Sequence, residues 1–175
     1  NGFYKVYATN LSVNSGGNIH TNFKLTQTKP EQIVLSSPSG TIINQITMVP
    51  TQPNHSRGRT VDGGAAWSLF KNPTQGNPNS LNPAYNNYTS KPAFNYLSGA
   101  YTTALSITLT ADAGSTIYYT MNGQTPTIFS TTYTVPISVS ATTVIRTMAI
   151  NSDTMRPPSF VETNTYLINE NHTIP

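Results

Sequence analysis

The chain has 175 residues, a formal net charge of +3 and no cysteine. Only 9% of its residues are charged, against about 25% in average globular proteins, yet 10% are aromatic, which excludes a chain that is disordered by composition. The lack of cysteine excludes a disulfide framework and a thiolate metal site, and no apolar run approaches the length of about 20 residues that a membrane-spanning helix needs.

The residue types predict an all-β fold. Thr, Val, Ile, Tyr and Phe suit a pleated, half-buried surface, and 13 Pro and 11 Gly punctuate the chain with turns. Turn signals recur at intervals of about 8–12 residues with no helical pattern between them, which is typical of antiparallel β-sandwiches. We therefore expect strands joined by short loops throughout.

The first half of the chain contains short strand-like segments. Residues 3–8 alternate in part. Residues 32–35 and 41–49 flank a Ser/Pro/Gly turn at 36–40, which predicts a hairpin. A turn at 61–64 leads into Trp67, which we expect to pack in the core because aromatic side chains dominate core energetics.

Residues 72–92 differ from the rest in composition. Asn, Pro, Ser and Gly dominate there, and the aromatic residues are isolated. This is the linker-like stretch of the sequence, and we place a domain boundary within it, near Asn82. The prediction is a first module at residues 1–82, a linker at 83–91, and a second module with a C-terminal tail at 92–175.

The second half has clearer strands. They are predicted at residues 105–110, 116–121, 132–139, 143–150 and 163–168. Between them, Asn122-Gly123 is the dipeptide favoured where both turn residues need a positive φ. We therefore expect a tight hairpin or near-hairpin at this dipeptide, with Gly123 at positive φ.

Either side of the strand at 143–150 could face the core, because the odd-numbered and the even-numbered positions both carry apolar residues. In one arrangement, Arg146 shares the inner face with Val144 and Met148, and its stem lies along apolar surface. In the other, the inner face consists of Ile145, Thr147 and Ala149.

Several segments of the first half occur in a recognisable order. They are a segment at 20–25, strands within 32–49, the loop Ser56-Arg57-Gly58-Arg59-Thr60-Val61-Asp62-Gly63, Trp67, and Pro73-Thr74-Gln75-Gly76-Asn77. In order and spacing, most of residues 1–80 resembles the lamin-tail domain in its bacterial form. The opening strands of that family are missing before Asn1, so the resemblance implies a β-sandwich truncated at its N-terminus.

A truncated sandwich leaves part of one face uncovered and one edge unpaired, and exposed edges invite pairing with another chain. We expect this edge to be closed by a neighbouring copy, by residues 72–92 folding back, or by residues of the parent protein outside this chain. Alternatively, the second module covers the open face.

A second set of motifs lies in the other half. They are Ser98-Gly99-Ala100-Tyr101, the segment 114–123, Thr125-Pro126-Thr127, Tyr133, Pro136-Ile137 and the strand at 143–150. From about residue 92 to residue 168 the chain resembles the chitobiase/β-hexosaminidase carboxy-terminal module. The resemblance implies an immunoglobulin-like (Ig-like) or fibronectin-like antiparallel β-sandwich.

The tail from Thr165 to Pro175 resembles the junction that precedes the kinase-like domain of the spore-coat protein H family. Together with the two modules in that order, this resemblance implies a fragment of a larger bacterial protein. We expect an extracytoplasmic protein, either secreted or at the cell surface.

No motif in the sequence predicts catalysis. The acids are Glu31, Asp62, Asp112, Asp153, Glu162 and Glu170. There is neither a nucleophile elbow nor a phosphate-binding Gly loop. His20, His55 and His172 lack the spacing of metal ligands, and the basic residues are not clustered as in nucleic-acid-binding proteins. We expect no enzyme activity, no cofactor, no metal ion and no nucleic acid.

One group of aromatic residues is a candidate contact site at and after the predicted linker. Its members are Tyr85, Tyr88, Phe94, Tyr96 and Tyr101. Two interpretations are open: a sugar-stacking or partner-binding patch, and an interdomain plug that fixes one module against the other. We favour the plug, because aromatic residues left exposed in a polar linker would cost solubility.

The function that follows is that of non-catalytic structural and interaction modules, which space or present a following domain of an exported protein. The alternative is a carbohydrate-binding accessory module that uses the linker-region tyrosines. The expected partners are proteins, either adjacent domains of the parent chain or surface partners, and under the alternative a polysaccharide. No membrane span is expected.

Overall fold

The computed structural model describes residues 2–11, 18–26 and 28–170. Strands make up 41% and helix 2% of the structure, which confirms the prediction of an all-β fold. The chain divides into two compact units, Asn1–Tyr85 and Asn86–Pro175, and the division falls inside the segment 83–91. His172 and the end of the tail, residues 171–175, lie outside the described residues.

The first unit contains three two-stranded sheets among its described residues. β1 and β2 are parallel, whereas β3–β4 and β5–β6 are antiparallel hairpins. The strands are β1 (Val6–Tyr7), β2 (Ile19–His20), β3 (Glu31–Ser36), β4 (Ile42–Met48), β5 (Ser56–Arg59) and β6 (Trp67–Phe70), followed by a 3-10 turn, Asn79–Leu81.

The hairpin predicted around residues 36–40 is confirmed. The Ser37 N–H donates to the Thr41 carbonyl at 2.8 Å. Gly40 takes a φ of 86°, a conformation that glycine adopts without the steric cost that a Cβ imposes. The register shifts between Leu35 and Ser36, so Ile43 is an extra residue in β4 and the hairpin twists locally.

Arg59 in β5 has a structural role. Its guanidinium lies over the Trp67 ring, 5.1 Å from the centroid, in a cation–π contact. It also donates to the carbonyl of Gly64 and, at 3.1 Å, to the Asn44 side-chain oxygen. Arg59 therefore ties the 61–64 turn and strand β4 to the β5–β6 hairpin.

The first unit leaves much apolar surface exposed. Among its described residues, Leu69 and Phe70 in β6 are the two that are buried. In contrast, Tyr4 is 89% exposed and Ile43 64%. One edge is partly closed, because Tyr85 folds back to exchange two backbone hydrogen bonds with Leu69, at 2.8 and 3.0 Å. This fold-back is one of the closures expected for residues 72–92.

The second unit is a two-layered sandwich. One layer is a five-stranded sheet in the order β12-β11-β14-β15-β8, and the remaining strands form the pairs β13-β9 and β10-β7. The strands are β7 (Ala93–Phe94), β8 (Gly99–Tyr101), β9 (Leu105–Ile107), β10 (Leu109–Thr110), β11 (Ser115–Thr120), β12 (Thr131–Thr132), β13 (Ile137–Val139), β14 (Thr143–Asn151) and β15 (Glu162–Ile168).

Aliphatic side chains from both layers fill the core, together with one tyrosine. The buried cluster consists of Leu105, Ile107, Leu109, Ile117, Ile137, Val139, Ile145, Tyr166 and Ile168. Its members recur at every second position of their strands, because successive side chains of a strand point to opposite faces.

Asn95 joins the two strand pairs of the smaller layer. Its side-chain Nδ2 donates to the Ser106 carbonyl at 3.0 Å, and its Oδ1 accepts from the Thr108 N–H at 2.8 Å. Its backbone N–H donates to the Thr108 carbonyl at 3.1 Å. Asn95 thus satisfies the backbone groups at the break between β9 and β10, which would otherwise lack a ladder partner.

Residues 86–91 of the expected linker are part of the second unit. The Asn86 N–H donates to the Met155 carbonyl and the Thr89 N–H to the Pro157 carbonyl, both at 2.9 Å. Thr89 is 2% exposed.

The inner face of β14 is formed by Ile145, Thr147 and Ala149, which are all 0% exposed. This is the second of the two arrangements that the sequence left open. Arg146 lies on the opposite face, and its guanidinium donates to the Gly123 carbonyl at 3.0 Å. The arginine is therefore on the side of the strand where its charge needs no burial.

Gly123 has a φ of 75°, which confirms the expected positive value. The expected tight hairpin at Asn122-Gly123 is wrong, because β11 pairs with β12 only after the intervening loop of residues 121–130. The cause is local: Asn122 forms a parallel bridge with Val144, and its side-chain oxygen accepts from the Gln124 N–H at 3.1 Å. The dipeptide therefore opens a longer loop.

The Thr147 hydroxyl is buried and has no hydrogen-bond partner within the described part of the chain. Thr147→Val keeps the shape of the side chain and removes a polar group whose unsatisfied burial costs about 1–3 kcal/mol. We expect the free energy of unfolding to rise by about 1 kcal/mol in chemical denaturation.

Thr143→Val in the same strand is the matched control. The Thr143 hydroxyl donates to the Ala141 carbonyl at 2.7 Å, so this change should lower the stability. A Thr147→Val protein less stable than the wild type would contradict the prediction.

Candidate functional site

The five aromatic residues predicted as a contact site are divided between the two units. Tyr85 belongs to the first unit, and the other four belong to the second. The Lys71 ammonium lies 4.4 Å from the centroid of the Tyr85 ring. Since the Tyr85 backbone also pairs with Leu69, this residue is held by the β6 edge.

Tyr88 and Phe94 pack at separate places in the second unit. The Tyr88 ring meets the Phe160 ring edge to face, with 4.9 Å between centroids. Phe94 pairs with Leu109 in β10 and packs against the core. Phe160, which the sequence did not single out, is the fixed partner of Tyr88.

Tyr96 and Tyr101 do come together, and Tyr166 joins them. The Tyr96 and Tyr101 rings are perpendicular with centroids 5.8 Å apart, and the Tyr166 ring lies 6.1 Å from that of Tyr101. The Tyr101 hydroxyl donates to the Leu97 carbonyl at 2.8 Å, and the Tyr166 hydroxyl donates to the Tyr96 carbonyl at 3.0 Å. Burial raises the pKa of the Tyr166 hydroxyl, so it remains a donor. Two of the three hydroxyls are thus used to fix the loop before β8.

The four carboxylates of the second unit all have partners. Asp112 pairs with Arg156 at 2.5 Å and Glu162 pairs with Lys91. Asp153 accepts from the Met155 N–H at 2.9 Å, and Glu170 accepts from the Thr142 hydroxyl. Asp112, Glu162 and Glu170 each join two segments of the fold, and Asp153 fixes its own turn.

Hydrogen bonds from the Arg156 guanidinium, and secondly from the Ser90 hydroxyl, lower the pKa of Asp112 below its ordinary value. A lowered pKa keeps this carboxylate ionised at neutral pH, where it cannot act as a general acid. Its contacts are those of an ion pair that holds the loop after β10.

The two carboxylates of the first unit are also engaged. Glu31 accepts from the Thr26 N–H at 2.6 Å, and both oxygens of Asp62 lie 3.3 Å from the Asn79 N–H. Asn79 in turn donates to the Arg59 carbonyl at 2.7 Å. Asp62 therefore anchors the 3-10 turn to the end of the β5–β6 hairpin.

A cavity of about 580 Å³ in the first unit lies next to this network. Asp62, Asn79, His55 and Phe3 are among the residues that line it. Burial, and secondly the charge of Lys71, lower the pKa of His55, so its ring is neutral at neutral pH. The cavity offers polar groups with one carboxylate, and that carboxylate is held by the backbone of Asn79.

A further aromatic residue, Phe129, was missed from the sequence. It lies in the loop between β11 and β12, is 91% exposed and borders a second cavity of about 430 Å³. The Ile128-Phe129 pair between two turn-forming residues is a sequence signal that could have drawn attention to it. Because phenylalanine is usually buried, an exposed position was not expected from the sequence.

Within the described residues, no group of three or more His, Asp or Glu side chains is placed to hold a metal ion. In the same residues, no helix has the length and apolar character needed to cross a membrane.

The family model of the chitobiase/beta-hexosaminidase C-terminal domain matches residues 97–162. The match spans β8 to β14 and reaches the start of β15, and it confirms the resemblance over these residues. The second unit has the Ig-like β-sandwich fold of such a domain. No curated protein and no solved structure matches the chain. The lamin-tail and spore-coat protein H resemblances stay predictions.

Proposed function

We propose that the chain is a pair of non-catalytic interaction modules of a larger exported bacterial protein, which space or present a neighbouring domain. The observation that carries this proposal is that every carboxylate side chain has a hydrogen-bond or ion-pair partner. All six lie against a fixed partner in their own unit, and none shares a partner with another.

A glycosidase needs two carboxyl groups that face one cleft, one of them free to transfer a proton. The carboxylates of this chain instead hold turns and loops together. The family matched by residues 97–162 is named for the C-terminal domain of chitobiase and beta-hexosaminidase, and such a position supports an accessory role beside a catalytic domain.

The alternative, glycan binding through Tyr85, Tyr88, Phe94, Tyr96 and Tyr101, has less support. Phe94 packs against the core, and the Tyr101 hydroxyl is taken by a backbone carbonyl. The proposal includes an extracytoplasmic location and protein partners, and the resemblances of the two halves support both.

A module that spaces other domains has to stay folded by its own contacts. The basic residues of the second unit are all engaged: Lys91 with Glu162, Arg146 with the Gly123 carbonyl, and Arg156 with Asp112. In limited trypsin digestion of the 175-residue chain, we expect cleavage after Lys24 or Lys71 well before cleavage after Arg146, because proteolysis follows local opening.

Activity is the second arm of this test. Chromogenic β-N-acetylglucosaminides and β-glucosides incubated with the chain should release no more chromophore than buffer does. Release that Asp62→Asn or Asp112→Asn abolishes would overturn the non-catalytic proposal. Rapid cleavage inside β14 would contradict the expectation that the second unit stays folded by its own contacts.

A further inference from the structure

The loop of residues 121–130 is anchored at several points. The Thr120 hydroxyl donates to the Gln124 carbonyl at 2.6 Å, and the Asn122 side-chain oxygen accepts from the Gln124 N–H at 3.1 Å. From the neighbouring strand, the Arg146 guanidinium donates to the Gly123 carbonyl at 3.0 Å. Because its backbone is held in this way, the loop can offer side chains in fixed positions.

The end of this loop presents Phe129 to solvent. The Thr127 N–H donates to the Ser130 hydroxyl at 2.9 Å, and the Phe129 N–H donates to the Thr127 hydroxyl at 3.2 Å. Buried Pro126 fixes the start of the turn. Phe129 is 91% exposed and its neighbour Ile128 57%. A ring held out by an anchored turn can meet a ligand at little cost in ordering entropy.

The cavity of about 430 Å³ beside Phe129 is neutral. It is an open depression on the surface, so a bound ligand would stay partly exposed to solvent. Its side chains supply hydroxyl, amide, thioether and aromatic groups, and none is charged. The lining residues are Tyr119, Thr120, Met121, Asn122, Phe129, Ser130 and Thr131.

Ser130 and Asn122 are among the lining residues that can donate to a ligand. The Ser130 oxygen accepts from Thr127, so its own hydrogen is still available. The Asn122 oxygen accepts from Gln124, and its amide nitrogen has no acceptor in the part of the chain that the structure describes. A hydroxyl donor, an amide donor and an exposed ring therefore surround one small cavity.

We propose that this cavity binds a neutral saccharide. The Phe129 ring would stack on the apolar C–H face of a pyranose, while Asn122 and Ser130 hydrogen-bond its hydroxyls. A charged ligand would find no counter-charge among the lining residues. A stable protein partner would need about 800 Å² on each side, more than one short loop supplies. The inference goes beyond the function proposed above, whose partners are proteins, and it uses a surface other than the five aromatic residues predicted from the sequence.

The test is a titration of the ¹⁵N-labelled 175-residue chain with cellobiose and with N,N′-diacetylchitobiose. Both disaccharides are neutral and have equatorial substituents that leave flat C–H faces. At about 10 mM ligand, ten times a weak Kd of about 1 mM, we expect amide shifts concentrated in residues 119–131. Digalacturonate, which is anionic, should cause none.

Variants locate the site. Phe129→Ala should weaken binding about tenfold or more, as truncation of a central contact residue does, and Phe129→Tyr should retain it. Leu97→Ala removes a 79% exposed apolar side chain elsewhere in the second unit and should leave binding unchanged.

The absence of shifts with both disaccharides, an unchanged Kd in Phe129→Ala, or shifts confined to residues 96–101 would each overturn the proposal. Self-association that Phe129→Ala abolishes, without any response to sugar, would overturn it in favour of a protein contact. These outcomes leave the proposed function standing, because that function is tested by proteolysis and hydrolysis.

Discussion

Tyr166→Ala is expected to lower the free energy of unfolding of the second unit by about 3–5 kcal/mol, the usual cost of truncating a buried aromatic residue. Tyr166 is 0% exposed and lies in β15, between its pairing partners Thr143 in β14 and Gly99 in β8. The truncation would open a cavity where three strands meet and would leave the Tyr96 carbonyl without its donor.

Urea denaturation followed by circular dichroism measures this change. Tryptophan fluorescence does not serve, because Trp67 lies in the other unit. Tyr166→Phe isolates the hydroxyl and should cost about 0.5–1.5 kcal/mol. Phe129→Ala is the matched control, because it removes an aromatic ring that is 91% exposed, and it should stay within about 0.5 kcal/mol of the wild type. Equal effects of Tyr166→Ala and Tyr166→Phe would show that the ring is not packed.

Asn151→Ala is expected to cost about 2–4 kcal/mol, because it leaves more than one buried polar group unsatisfied. Asn151 is 9% exposed at the end of β14. Its Nδ2 donates to the Ala113 carbonyl at 3.0 Å and to the Ser115 hydroxyl at 2.8 Å, while its Oδ1 accepts from the Asp153 N–H at 2.9 Å. One side chain thus joins the turn before β11 to the turn after β14.

Thermal and urea unfolding of the variant measure the cost. Asn151→Asp keeps the size and the acceptor oxygen but cannot donate to the Ala113 carbonyl when ionised, so we expect a loss of similar direction at neutral pH. Asn122→Ala serves as control, because Asn122 is exposed and makes one such bond; it should cost about 1 kcal/mol or less. If the two alanine variants are equally stable, the role assigned to Asn151 is wrong.

Three of the five strands predicted in the second unit are close to the structure, because their side chains alternate. The predicted strand at 132–139 is wrong, since it covers β12 and β13 of different sheets, and the one at 105–110 is divided into β9 and β10. The segments predicted at 116–121, 143–150 and 163–168 correspond to β11, β14 and β15 within one residue at each end. Which side of β14 faces the core could not be predicted from the sequence. Its outer positions Val144 and Met148 are as apolar as the inner ones, so alternation gives no preference, and only the partner strands decide.

The candidate site was harder to predict, because contacts between distant segments form it. Tyr101 meets Tyr166 only because β8 pairs with β15, and nothing local to either residue indicates that pairing. Tyr85 and Tyr88 belong to different units, and the sequence does not indicate which unit each backbone segment joins. For Phe129 the composition misled, since an exposed phenylalanine runs against the usual preference for burial.

The parallel pairing of β8 with β15 has a consequence for the synthesis of the protein. Ser98 and Thr165, which are hydrogen-bonded, lie 67 positions apart, and contacts of such high order are slow to form. Until β15 leaves the ribosome, β14 is a long strand with an open edge, and open edges pair with other chains. About 17 residues separate the end of β14 from the end of β15. At roughly 5–20 residues per second, the interval of greatest aggregation risk lasts about 1–3 s.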